Sequence, residues 1–187
     1  FNFSTNVSTQ DSIILLDGKK LKIKEIKTSI SLKAVFLNQF SIDDLQISTK
    51  KIKLNDVITL AQSFKNSKEL FLLNSFTKEG FLTANIKLKF NKEGKLKEAY
   101  QINGHIKNGK FNFLNKFSAK NLNLSFNISE NKYSLSEIYT ELNDVKFSSP
   151  LIEIKEKKNL FFIKGKILTS KKNFSKDHLN LIFASFL

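Results

Sequence analysis

Apolar and polar residues alternate with a period of two over most of this chain. Leu82, Ala84, Ile86, Leu88 and Phe90 alternate with Thr83, Asn85, Lys87 and Lys89, and Leu122, Leu124, Phe126 and Ile128 do so with Asn121, Asn123, Ser125 and Asn127. Successive side chains of a strand point to opposite faces, so each such stretch predicts a β-strand with one apolar and one wet face. Residues 1–54 read as an N-terminal β segment of short strands, opened by Phe1, Phe3, Thr5 and Val7 in alternation. Leu21 and Ile23 alternate until the phase slips at Ile26, which predicts a bulge or a strand end. Leu32, Val35 and Phe36 stand at helical spacing and predict a short turn of helix within 31–38. Alternation then resumes through Leu45, Ile47, Ile52 and Leu54.

Residues 55–80 break the rhythm and predict a helical insert. Val57, Ile58, Leu60, Ala61 and Phe64 share one helical face, with Asn55 or Asp56 as a plausible N-cap. After a break at Asn66 and Ser67, Leu70, Leu73 and Phe76 follow, Asn66 and Glu69 imitate a capping box, and Gly80 is the expected stop. The reading is two short helices or one broken helix.

Residues 81–170 return to strands. Asn91-Lys92-Glu93-Gly94 has hairpin length, the phase from Leu96 to Lys107 runs through Tyr100, Ile102, Gly104 and Ile106, and Asn108-Gly109 predicts a two-residue hairpin. Strands near 120–128, 132–142, 144–148, 150–157 and 159–169 follow, with Pro150 at a strand start, where a missing amide is tolerated. Connections this short predict antiparallel neighbours, since parallel pairs need a crossover of about a dozen residues. Residues 171–187 read as the start of a further, truncated element. With no Met and with Phe1 at its head, the chain reads as an internal piece of a longer protein.

Composition removes function classes more than it adds them. At 41% hydrophobic residues the chain has the apolar share of a folded domain, which excludes disorder. The 19 Phe, and lysine to the exclusion of arginine, fit the codon bias of an AT-rich genome. The net charge of +14 points toward anionic partners, yet Lys20, Lys22, Lys24, Lys51, Lys53, Lys87 and Lys89 fall on alternate strand positions and predict a solvated face. Base-specific nucleic-acid recognition is disfavoured, because arginine is absent and the aromatics fall on the apolar phase, away from the lysines. A variant use of the lysines is to hold the protein near an anionic membrane surface.

The absence of Cys excludes disulfides, thiolate metal sites and cysteine nucleophiles. No apolar run approaches the roughly 20 residues of a membrane-spanning helix. His105 and His178 are too few and too far apart for a metal site. Asp43 and Asp44 are adjacent on a predicted strand, so their carboxylates face opposite sides. The serine-rich stretches lack a nearby His and a nucleophile elbow, and the six glycines form no phosphate loop. The expectation is a protein that is not an enzyme, with no catalytic residues, metal or cofactor.

The order of these segments resembles the AsmA-like family of bacterial bridge-like lipid-transfer proteins. The resemblance is carried by "SLKAVF", "FSIDDLQIS" and "KIKLND" between Leu21 and Leu54, by the helical insert up to Gly80, and by "INGHIKNGKFNF" followed by "FSAKNLNLSFNI". It implies a mainly β fold: a long, twisted antiparallel sheet curled into a taco-like groove, with a short helical insert. It also implies periplasmic work on phospholipid moving toward the outer membrane, an inner-membrane anchor outside this segment, and neighbouring segments of the same chain as partners. The groove lining would then be Ala84, Ile86, Leu88, Phe90, Tyr100, Ile102, Ile106, Leu122, Leu124, Phe126, Ile128, Ile152, Ile154, Phe161, Ile163 and Ile167. The competing expectation is a structural or adhesive β-protein in which those residues form a closed core and no lipid binds.

Overall fold

The computed structural model describes residues 4–16, 18–40, 42–64, 67–95, 97, 100–113, 117–130, 132–157 and 160–170. Phe1, Phe3, Asn66, Leu96, His178 and the expected element over 171–187 lie outside these residues, as does the side chain of Phe64. The protein is mainly β. Its strands are β1 (Ser4–Gln10), β2 (Ile13–Leu16), β3 (Lys19–Ser31), β4 (Ile42–Thr49), β5 (Ile52–Lys53), β6 (Thr77–Lys89), β7 (Gln101–Phe113), β8 (Phe117–Ser129), β9 (Lys132–Leu142), β10 (Val145–Lys157), β11 (Leu160–Gly165) and β12 (Leu168–Thr169). They form one large antiparallel sheet in the order β1-β3-β4-β6-β7-β8-β9-β10-β11, which does not close into a barrel. Strand β2 adds to β3, β5 to β6 and β12 to β10. The expected phase slip at Ile26 is a register irregularity between Ile23 and Glu25 against β4.

Three short helices complete the fold: α1 (Leu32–Phe36) between β3 and β4, and α2 (Leu54–Phe64) and α3 (Lys68–Phe76) between β5 and β6. The capping differs from the sequence expectation. Helix α2 already starts at Leu54, and the Asn55 amide donates to the Thr77 carbonyl of β6 at 3.1 Å, which ties the helix to the sheet. Ser67 caps α3, its Oγ accepting from the Leu70 amide at 3.2 Å. Helix α3 ends at Phe76, not at Gly80. Gly80 instead sits in β6 at φ +132°, where a Cβ would meet the Leu54 side chain and the Gly109 backbone. Ser67→Ala is expected to cost about 1 kcal/mol, read from the urea midpoint, with Ser67→Asp restoring most of it.

Asn108-Gly109 is also not a hairpin turn. It lies inside β7, with Asn108 left-handed at φ 53° and the register to β8 shifting between Ile106 and Gly109. The neighbouring strands have the same device: Asn121 in β8 at φ 55° and Glu137 in β9 at φ 52°, each beside a register shift. An extra residue in a strand bends it and reverses the side-chain phase. Here that reversal keeps the apolar face continuous: Ile106 is followed on it by Phe111, Leu122 by Ala119, and Leu135 by Leu142. The aligned bulges crease the sheet and curl it. Pro150 lies within β10, opposite this crease and not at a strand start, in the gap between the residues paired to β12 and those paired to β11. A two-residue turn with both residues left-handed is found instead at Asn143-Asp144, φ 46° and 66°, joining β9 to β10.

The buried residues are few. Leu21, Ile23 and Ile52 form one cluster under Val57 and Leu60 of α2, and Leu54, Phe111 and Ala119 a second, flanked by Leu82, Ile106, Leu122 and Leu142, while Ile58, Ala84 and Val145 are buried apart from both. Among the described residues no large side chain is fully buried. The geometry explains this. A stable domain needs a second layer over the apolar face of its sheet. Helix α2 has 11 residues and is therefore roughly 16 Å long, whereas nine strands side by side span roughly 38 Å.

Candidate functional site

The uncovered part of the inner face is a groove. Its volume is about 810 Å³ and no polar atom reaches its surface. One wall comes from Ile14, Leu21, Ile23, Ile47 and Ile52 of β2–β5, and a partial roof from Val57, Leu60 and Ala61 of α2. The floor is Leu82, Ala84 and Ile86 of β6, Ile102 and Ile106 of β7, Leu124, Phe126 and Ile128 of β8, and Leu135 of β9. Thr49 is the single lining residue with a polar side-chain atom, and its Oγ1 is occupied as acceptor for the Ala84 amide at 2.8 Å.

Strand register defines a row across the sheet of which Ile47, Ile86, Ile102 and Ile128 line the groove. Ile26 pairs with Ile47, Ile47 with Ile86, Ile86 with Ile102 and Ile102 with Ile128. Ile128 then pairs with Tyr133, Tyr133 with Ile154 and Ile154 with Ile163. This row crosses eight strands at right angles to them, roughly 34 Å from end to end. Tyr133 is uncharged at neutral pH like any phenol, and burial, with Tyr100 and Glu156 nearby, raises it further above its ordinary value. The adjacent row has Ala84 and Gly104 beside Phe126. A Cβ on Gly104 would stand 2.8 Å from the Phe126 ring, so the glycine makes room for the ring to lie across β7.

Of the residues expected to line a groove, Ala84, Ile86, Ile102, Ile106, Leu124, Phe126 and Ile128 line this one. The others are elsewhere. Leu122 belongs to the cluster around Leu54. Leu88 and Phe90 lie toward the far end of β6, where the Phe90 ring packs at 5.7 Å from Phe40. Tyr100, Ile152 and Ile154 are half-buried outside the cavity. Phe161, Ile163 and Ile167 are largely exposed on or beside β11 at the edge of the sheet. The lining residues absent from the expectation have the same signal: Leu82, Ile47 and Leu135 stand in the apolar phase of their strands, and Val57, Leu60 and Ala61 on the apolar face of α2.

The outer face is polar. Lys20, Lys22, Lys24, Lys87 and Lys89 are exposed, as the solvated-face reading requires. Ion pairs such as Lys27–Glu25 at 2.9 Å and Lys50–Asp11 at 2.6 Å are exposed, and such pairs contribute about 0–1 kcal/mol each. The fold brings one serine to a histidine that the linear sequence keeps apart: His105 Nδ1 is 2.9 Å from Ser125 Oγ, which donates to Glu137 Oε2 at 2.7 Å. With the Ser125 hydroxyl donating to Glu137, the histidine Nδ1–H is left as the donor to Ser125 Oγ. The three residues form a cross-strand polar ladder that fastens the Glu137 bulge. Among the described residues no cluster of metal-ligating side chains forms, and no helix is long and apolar enough to cross a membrane.

Comparison with protein-family models, with curated proteins and with solved structures returns no match.

Proposed function

We propose that this chain is a non-catalytic segment of a lipid-conducting β-groove, which holds phospholipid acyl chains against its inner face while the head groups stay in water. The observation that carries the reading is the groove of about 810 Å³ with a wholly apolar surface, on a sheet too wide for its short helices to cover. That volume lies in the range of ~300–1,000 Å³ typical of small-molecule sites. Most such sites place a few polar groups to orient a ligand; a surface without them suits a chain of methylenes, each worth ~0.8 kcal/mol when buried. Contacts of this kind have no direction, so a lipid shifting along the isoleucine row exchanges one set for another without breaking a hydrogen bond. The resemblance of the segment order to AsmA-like proteins is the ground for the same reading and for its proposed setting between inner and outer membrane.

The alternative, a structural β-protein with a closed core, draws on the two clusters under α2. Native mass spectrometry of the purified chain, with lipid extraction from the same sample, separates the two. Co-purifying phospholipid is the expected result. A lipid-free, monomeric and cooperatively unfolding protein would overturn the groove reading in favour of the closed core.

A further inference from the structure

The end of the sheet opposite α2 and α3 has a different kind of apolar surface. Helix α1 buries none of its residues. It and the loop after it expose Val35, Leu37 and Phe40, with Phe36 at its tip 88% exposed. Val35, Phe36 and Leu37 are the most open of these, whereas Phe40 is partly packed. Ser31 fixes the turn, its Oγ accepting from the Ala34 amide at 3.3 Å. Phe40 then braces α1 against the adjacent β6–β7 connection, packing on Phe90 at 5.7 Å and over Gly94, where a Cβ would stand 3.1 Å from the ring. Residues 91–95 of that connection are held by Asn91, whose Oδ1 accepts from the amides of Glu93 and Lys95 at 3.1 and 2.8 Å. The two tips thus form one held projection. Around it stand the exposed Lys33, Lys92, Lys95 and Lys97, against Asp43 and Glu93.

We propose that this projection is a membrane wedge: Val35, Phe36 and Leu37 enter the head-group boundary of an anionic bilayer while the lysines rest on its surface. The occupant follows from the chemistry. A protein partner needs a complementary concave or extended surface, whereas single projecting apolar side chains ringed by lysines match the apolar-below, anionic-above layering of a lipid interface. The wedge stands apart from the groove reading, since it uses none of the groove residues.

The chain contains no Trp, so a tryptophan placed at Phe36 reports on that site alone. Phe36→Trp is expected to show a blue-shifted emission on addition of mixed phosphatidylglycerol–phosphatidylcholine vesicles, with binding on the order of 10-fold tighter than to pure phosphatidylcholine. Phe71→Trp, on α3 at the other end of the strands and 66% exposed in the native protein, is expected to stay unchanged. Both positions are open to solvent, so neither substitution disturbs a core. An unchanged Phe36→Trp spectrum, or an equal shift at Phe71→Trp, would overturn the wedge, and equal affinity for the two vesicle types would overturn the role given to the lysines. The shift is expected to persist when Phe126→Asp is added, so loss of groove lipid and loss of the wedge are read separately.

Discussion

Gly104→Val is expected to destabilise the protein by about 3 kcal/mol or more, at the upper end of what overpacking costs. Gly104 sits near the middle of β7, with β6 on one side and β8 on the other. A Cβ there would run into the Thr83 carbonyl oxygen, stand 3.0 Å from the Ala84 Cα and 2.8 Å from the Phe126 ring. A side-chain clash can relax by a rotamer change, but two of these three contacts are main chain of the neighbouring strand. Relief therefore means separating β6 from β7 in the centre of the sheet, with loss of ladder hydrogen bonds. The measurement is the urea midpoint of Gly104→Val and of Gly104→Val with Phe126→Leu. The double variant should recover only the part due to the ring. Full recovery would place the whole conflict on Phe126, and an unchanged midpoint would refute the close approach of the two strands.

Phe126→Asp is expected to remove bound phospholipid, lowering the lipid recovered with the protein at least ~10-fold, because an ionised carboxylate among methylenes has no partner to offset its desolvation. The phenyl ring lost is half-buried, so the accompanying loss of stability is expected at about 1–2 kcal/mol, below the value for full burial and small enough to be followed by thermal unfolding. Asn127→Asp is the matched control. It puts the same charge one residue along β8, on the exposed outer face, and should change neither lipid content nor Tm. If Phe126→Asp folds and keeps its lipid, the groove floor is not where lipid lies. If Asn127→Asp loses lipid equally, charge and not position is responsible.

The contrast between these two neighbours rests on a property that is local. Side-chain phase along a strand follows from backbone geometry alone, so Ala84, Ile86, Ile102, Ile106, Leu124, Phe126 and Ile128 were legible as one apolar face before any partner strand was known. The helical insert, the short helix after Ser31 and the bulge near Ile26 were legible for the same reason, since each is a change of period within a few residues.

Other features depended on contacts distant in sequence. Asn-Gly is a strong turn signal because both residues tolerate left-handed backbone, but the same tolerance serves a bulge. Only the pairing of β7 with both β6 and β8 turned Asn108-Gly109 into part of a crease. Gly80 reads as a helix stop by composition, yet the close approach of Leu54 and Gly109 is what calls for a glycine there. His105, Ser125 and Glu137 are joined by strand register across 20 and 12 residues. The division between core and groove was likewise undecidable from alternation. Leu122 and Leu124 are equally apolar and in the same phase, but Leu122 lies with Leu54 at the start of α2 and Leu124 beyond it. Within each unbroken stretch of alternation the sequence alone determined which side chains face inward, because phase is dictated residue by residue along a strand; across the bulges at Asn108, Asn121 and Glu137 the strand pairing decided it. Which of them are covered and which stay open was decided only by the tertiary structure, through the reach of one 11-residue helix over a sheet more than twice its length in width.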